Sequence, residues 1–261
     1  MATMVPDVTG LVDALGLSSI HTEILADIDR WDCRDQLGGG SGVSSSDRSL
    51  GSEAAKTSRK GAGVRKLGVV EFVTLDGVMQ GLGGPDEDRQ GGFSHGGWSG
   101  PYGDEVLAQE AGQGIGQTTA YLFGRRTYEH MAAHWPHEPA DDPIAASLNA
   151  TAKYVATRTL GQQDLDWANC HVIPGDVVSA VQELKAEGDG FITVLGSGAL
   201  VQTLIANDLV DVYRIMLHPL VLGTGKRLFR EYEHPLRLRL TGCTQTTTDV
   251  LLLTYERVGQ A

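Results

Sequence analysis

The apolar positions of this chain follow two periods that alternate along it. Phe191-Ile192-Thr193-Val194-Leu195 is a run of β-branched, aromatic and aliphatic residues and predicts a short buried strand. Gly196-Ser197-Gly198 interrupts it, and Leu200, Val201, Leu204 and Ile205 then recur with i, i+1, i+4, i+5 spacing, which gives a helix one apolar face. The same order of strand, glycine and helix is expected at 119–123, where Gly124 leads into a helix carrying Met131, Ala132 and Trp135. Further strands are expected at 66–74, 153–157 and 211–218, and Val172-Ile173 is a short apolar step before Asp176, which caps a helix of Val177, Val178, Val181 and Leu184. A helix starting near Pro101 runs through Ala111, with Asp104 and Glu105 at its electropositive end. The pattern ends in two alternating strands, 236–246 and 250–258, around a Thr-Thr-Asp turn, an antiparallel pair that makes the sheet mixed.

Before residue 66 the pattern differs. Leu11, Val12, Leu15, Ile24, Leu25, Ile28 and Trp31 recur at roughly helical spacing, which predicts one or two short helices. A Gly-, Ser- and charge-rich stretch follows and reads as a flexible linker. The chain therefore divides into a segment 1–64 and a domain 65–259.

Composition narrows the function. At 261 residues, 41% hydrophobic and 21% charged, this is an ordinary globular chain. No apolar run approaches the ~20 residues that span a bilayer, and the first residues lack a basic-then-apolar leader. A cytoplasmic protein without membrane contact is expected. Cys33, Cys170 and Cys243 lie far apart with no CxxC pair, which argues against a disulfide framework and a cysteine zinc site. The net charge of −12 argues against nucleic-acid binding. A small molecule is the expected partner, and an anionic one must be held by local basic residues and backbone amides.

The strand–glycine–helix junctions offer such a place. A strand that turns through small residues into a helix leaves free N–H groups and the positive end of the helix dipole facing an anion. Gly196-Ser197-Gly198 has this form, although it also suits an ordinary tight turn. Gly124-Arg125-Arg126-Thr127 is a second junction, and the strand at 153–157 delivers Thr157 and Arg158. Ligands of open α/β sheets bind at the C-terminal ends of the strands, so these three ends fit one dinucleotide lying across them. Arginine forks bind phosphate bidentately, and a cation at a ribose 2′-phosphate favours NADP over NAD. The loop 81–103 holds nine glycines together with Phe93, His95, Trp98 and Tyr102, aromatics that either pack on a planar ligand or anchor the loop. Asp76 and Asp104 are candidate proton donors; turn and cap roles suit them equally.

Other patterns are set aside. Gly223-Thr-Gly-Lys226 is not a P-loop, because Leu220 and Arg227 stand where glycine and Ser or Thr are needed. Ser197 lacks the GxSxG elbow of a hydrolase. His130, His134 and His137 form HxxxHxxH without the glutamate of HExxH, and Trp135-Pro136 breaks the helix between them, so no metal site is expected.

Taken together, FVTLDGVMQG (72–81), YLFGRRTYE (121–129), KYVATRTL (153–160), VLGSGALVQTLI (194–205) and VYRIMLHPLVLGTGKRLF (212–229) resemble the dihydrofolate reductase-like superfamily. The nearer likeness is to the C-terminal reductase domain of the bifunctional riboflavin-biosynthesis deaminase/reductase. The resemblance implies an α/β fold, a three-layer αβα sandwich on a mixed, mostly parallel sheet with a C-terminal antiparallel strand pair. It implies NADPH, with Gly124, Arg125 and Thr127 at the cofactor phosphates, Thr157 and Arg158 near the 2′-phosphate, and Gly196, Ser197, Gly198 and Leu200 at the pyrophosphate. Asp76 and Gly77 would border substrate and nicotinamide. Trp98-Ser-Gly-Pro101 followed by Asp104 is similar to the Trp-x-x-Pro and acid of dihydrofolate reductases, with the acid one residue further from the proline. Lys226 and Arg227 either hold a substrate phosphate or are surface charges. Without a CxxC the deaminase half is not expected. A stand-alone, homodimeric NADPH-dependent reductase of a ribosylated aminopyrimidine or a pterin is the first expectation. A same-fold reductase of another substrate, or an NADPH-binding protein without turnover, are the alternatives.

Overall fold

The computed structural model describes residues 64–173, 175–232 and 234–259, so the helices and linker expected within 1–64 lie outside the described residues. Eight strands form one sheet: β1 (Lys66–Thr74), β2 (Thr118–Gly124), β3 (Lys153–Ala156), β4 (Cys170–Ile173), β5 (Phe191–Leu195), β6 (Val212–His218), β7 (Leu238–Gln245) and β8 (Leu251–Arg257). Their order is β4-β3-β2-β5-β1-β6-β8-β7. The pairs from β4 across to β6 are parallel. β8 runs antiparallel to both β6 and β7. Among the described residues five α-helices accompany the sheet: α1 (Glu105–Ile115), α2 (Arg125–His134), α3 (Pro143–Ala150), α4 (Val177–Ala186) and α5 (Gly198–Ala206).

Alternation along the strands sorts side chains to two faces. On one face Leu67, Val69, Val73, Ala120, Leu122, Ile192 and Val194 pack against α4 and α5 through Val181, Leu184, Leu200, Val201 and Leu204. On the other, Tyr121, Phe123 and Val155 pack against α2 and α3, and Phe72 and Met216 share a cluster with Leu107 of α1. The result is three layers, αβα. Strands apolar on both faces are what a parallel sheet covered by helices demands, and each fully buried Leu, Ile or Val contributes ~1.5–3 kcal/mol of transfer free energy.

Two elements differ from expectation. Pro101 lies in a separate 3-10 turn, Gly100–Tyr102, and α1 begins only at Glu105, after Asp104 accepts the N–H of Leu107 at 2.8 Å. The pattern did not single out α3, although Asp142 caps it by accepting from Ile144 and Ala145 ahead of a first-turn proline. Its C-terminus is held by Lys153, fully buried, whose ammonium donates to the carbonyls of Leu148 (2.6 Å) and Thr151 (2.8 Å) and lies 4.6 Å from the Trp167 ring.

The connection after β6 folds back over the end of β1. Met79 N–H donates to Lys226, Leu228 N–H donates to Gly77, and Val78 bridges to Arg227. Gly225 closes this contact with φ +119°, and a Cβ there would lie 2.7 Å from Val78 and 2.8 Å from Phe93. Gly225→Ala adds backbone strain and overpacking, with an expected loss of about 2–4 kcal/mol. Urea unfolding of the variant against the parent checks this; an unchanged midpoint would contradict it.

Candidate active site

Strands β2 and β5 are neighbours, yet the helices that follow them leave to opposite faces of the sheet, α2 to one and α5 to the other. Such a divergence opens a crevice at the C-terminal edge. Both helices start with N–H groups that no side chain caps: Gly124 precedes α2, and Ser197 precedes α5. Ser197 itself is left-handed at φ 73°, ψ 75°, which turns the chain sharply from strand to helix. The two turns touch. A Cβ at Gly124 would overlap the Ser197 hydroxyl, and one at Gly198 would overlap Met79. At 124, where a Cβ would also lie 2.7 Å from the Ser197 Cβ, glycine lets the two helix N-termini sit side by side.

They open into a cavity of about 1300 Å³, larger than the roughly 300–1,000 Å³ of a usual small-molecule pocket. Gly124, Arg125, Thr127, Thr157, Arg158, Gly196, Ser197, Gly198 and Leu200 all line it. Thr157 Oγ1 accepts the N–H groups of Thr159 and Leu160 at 3.1 Å, a turn that holds Arg158 at its corner. Arg158 is exposed and has no ion pair among the described residues. Arg125 instead gives one arm to both oxygens of Glu129, at 2.7 and 2.9 Å.

The remaining sequence-derived candidates lie elsewhere. Asp76 accepts the Thr74 hydroxyl at 2.6 Å and the N–H groups of Gly223 (2.9 Å) and Leu222 (3.2 Å), with Arg227 at 3.5 Å. The Thr74 hydroxyl, aided by those amides and opposed by burial, holds its carboxyl down at about 2. Asp104 accepts from Leu107 on one oxygen and from the Thr247 N–H and hydroxyl on the other, tying α1 to the β7–β8 turn. Neither carboxylate is among the described cavity-lining residues, and both occupy the turn and cap roles open to them from sequence. Gly77 sits in the Asp76 turn with φ +78°. Trp98 is buried, donates to the Gln80 carbonyl at 2.8 Å, and stands edge-on to His218, as does Tyr102. With Phe93 also buried, the aromatics of the glycine-rich loop anchor it. Lys226 lines the cavity, but its ammonium is tied to Asp88 at 2.6 Å and Gln90 at 2.7 Å, and Arg227 donates to the Asp76 carbonyl. Of the three histidines, His130 lines the cavity; no metal-holding cluster of His, Cys, Asp or Glu occurs among the described residues.

Two lining residues were not singled out by sequence. Glu71, in the middle of β1, is 3% exposed, and burial pushes its carboxyl up to about 8. Arg214, on β6, is half-buried, lies 5.9 Å from the Phe191 ring and has no ion pair among the described residues. No motif marks either one; a charged residue within an apolar strand is the signal that could have found both.

Asp76 yields a test. Its folded value lies below the ordinary 3.8, so its contribution is present above pH 3.8 and is lost as pH falls towards 2. Asp76→Asn places an amide among donors, with an expected loss of about 1–3 kcal/mol at pH 7 and a smaller further loss between pH 4 and 2 than the parent shows. Chemical denaturation across that range is the measurement, and equal stability at pH 7 would contradict the assignment.

Comparison with known proteins agrees with this architecture. The chain matches the RibD C-terminal domain over residues 65–252. Two Bacillus subtilis (strain 168) proteins resemble it. YyaP is 26% identical over 148 residues, 56% of this chain and 77% of YyaP. YwjB is 32% identical over 126 residues, 48% of this chain and 66% of YwjB. The crystal structure of a Shewanella sp. PV-4 protein, provisionally assigned to riboflavin biosynthesis, shares the fold with a TM-score of 0.52 at 18% identity, covering 74% of this chain and 99% of that one. With the family match running from β1 into β8, this chain belongs to the RibD C-terminal domain family.

Proposed function

We propose that this protein is an NADPH-dependent reductase that delivers a hydride to a small heterocyclic substrate, of the kind reduced by 5-amino-6-(5-phosphoribosylamino)uracil reductase of riboflavin biosynthesis. The observation that carries this reading is the pair of uncapped helix N-termini meeting at Gly124 and Ser197 in one cavity. Two adjoining N-termini offer their amides to the two phosphates of one pyrophosphate, in a chain whose overall charge repels anions.

The residues present fit the cofactor. Amides of Ser197–Ala199 and Arg125–Thr127 would hold the pyrophosphate, with the Thr127 hydroxyl beside them and Leu200 packed below the turn. Arg158, free of ion pairs among the described residues, would take the 2′-phosphate. NADPH when bound supplies the hydride, and the chain's own residues orient the reacting partners and exclude water. The cavity is also lined by Tyr121, Thr193, Met216 and Arg214. That space suits the second, smaller molecule, and Arg214 suits an anionic group on it better than Lys226 and Arg227, which are engaged by Asp88, Gln90 and Asp76.

A fluorescence titration with NADPH and with NADH tests this. Tight binding of NADPH over NADH is expected. Arg158→Ala should weaken NADPH by about 10–100-fold, the worth of a charge-assisted contact, and leave NADH unchanged. Equal affinities for the two nucleotides would contradict the 2′-phosphate assignment; binding of neither would contradict the reductase reading.

A further inference from the structure

β1 is the central strand of the site, and its fifth to seventh residues, Val70, Glu71 and Phe72, all reach the cavity. Val70 pairs with Leu195, the last residue of β5, and Glu71 pairs on its other side with Ile215 of β6. Glu71 therefore stands one step beyond the end of β5, level with Gly196, where the chain turns into the Ser197–Gly198 cradle. By alternation its side chain shares the face of Val69 and Val73, beneath α5.

This carboxyl is oddly placed for a structural residue. It is 3% exposed, and its Oε1 is wholly buried with no hydrogen-bond partner. No ion pair or hydrogen bond reaches either oxygen among the described residues. Burying an unpaired carboxylate is expensive, so such a group neutralises, and burial accordingly raises its ordinary value of 4.5 to about 8. Of the other carboxylates lining the cavity, Asp88 pairs with Lys226, Glu129 with Arg125, Glu87 accepts from Gly84 and Asp176 caps α4, while Glu110 is only half-buried and lies within reach of the Arg214 charge. Glu71 alone among these is both buried and unpartnered.

We propose that Glu71 is a ligand-contacting residue of this cavity, a neutral carboxyl that donates a hydrogen bond to the molecule seated against the Gly196–Gly198 turn, so that dinucleotide binding and protonation of Glu71 favour each other. The proposal rests on the dinucleotide reading above. Its physical content is simple. A neutral carboxyl offers an O–H to an acceptor, whereas a carboxylate at that depth repels a bound phosphate through a medium that screens poorly. Linkage is reciprocal: a ligand that prefers the protonated site is bound less well once the proton leaves, and its binding takes up a proton there.

Few titratable groups face this position. β5 and α5 carry none. On β6, Tyr213 shares the face of Glu71, while Arg214 and His218 lie on the other. Asp76 is bound into its own turn, Lys226 is paired with Asp88, and Asp176 caps α4. Glu71→Gln separates their effects from that of Glu71, since it keeps a neutral hydrogen-bond donor of the same shape.

NADPH binding measured from pH 6.5 to 9.5 on the full chain tests the proposal. Near pH 7 parent and Glu71→Gln should bind within about threefold of each other. Above pH 8 the parent should weaken relative to the variant, approaching about tenfold per pH unit. Identical pH profiles would overturn the proposal while leaving the dinucleotide reading intact. Should the variant fail to fold, calorimetry of the parent with NADPH at pH 8.5, in two buffers of different ionisation enthalpy, reads the same quantity. Net proton uptake is expected, and none would overturn the proposal. If neither protein bound NADPH at any pH, the dinucleotide reading itself would fall, and the linkage with it.

Discussion

The site depends on one close approach, between the backbone of Gly124 and the side chain of Ser197. These residues end neighbouring parallel strands whose helices diverge to opposite faces of the sheet. A parallel pair puts both strand ends on the same edge, and divergence leaves the space above them open. What remains is steric: the two turns come together only where one of them carries no Cβ. Two helix N-termini are thereby held side by side with their N–H groups uncapped, the local counterweight to a net charge of −12.

A second constraint fixes the rim. The turn after β1, the glycine-rich loop and the connection after β6 are joined through Asp76 and Gln80. Asp76 gathers Thr74, Leu222, Gly223 and Arg227, while Gln80 donates to the carbonyls of Asp88 and Gln90 and accepts from Lys226. Charges that look chemical in isolation are thus engaged in holding loops. Arg158, Arg214 and, on β1 between β5 and β6, Glu71 line the cavity without an ion pair among the described residues. Burial alone pushes the Glu71 carboxyl above its ordinary value.

Much of this was legible in the sequence. The strands followed from β-branched runs, and the two adjoining strand-to-helix turns from glycine placed between a strand and a helix. Every residue that the family resemblance places at the cofactor lines the cavity. The structural partners of Asp76 and Asp104 were not legible. Asp76 and Asp104 sit near glycine and at a helix start, and their deciding partners, Gly223 and Thr247, are 147 and 143 residues away. The pattern signalled α3 weakly, because only Ile144, Ala145 and Leu148 of its eight residues are buried. Glu71 was hidden by its setting, Val-Val-Glu-Phe-Val, where strand periodicity says which face a side chain takes and nothing about whether a helix or a cavity covers it.

In the proposed complex one dinucleotide spans both helix N-termini. Hydrogen–deuterium exchange with and without NADPH reads those amides directly. Slower exchange by about tenfold or more is expected together at Arg125–Thr127 and at Ser197–Ala199, as bound phosphate oxygens take up their N–H groups. Protection at one turn without the other, or only at a distant surface, would contradict the account.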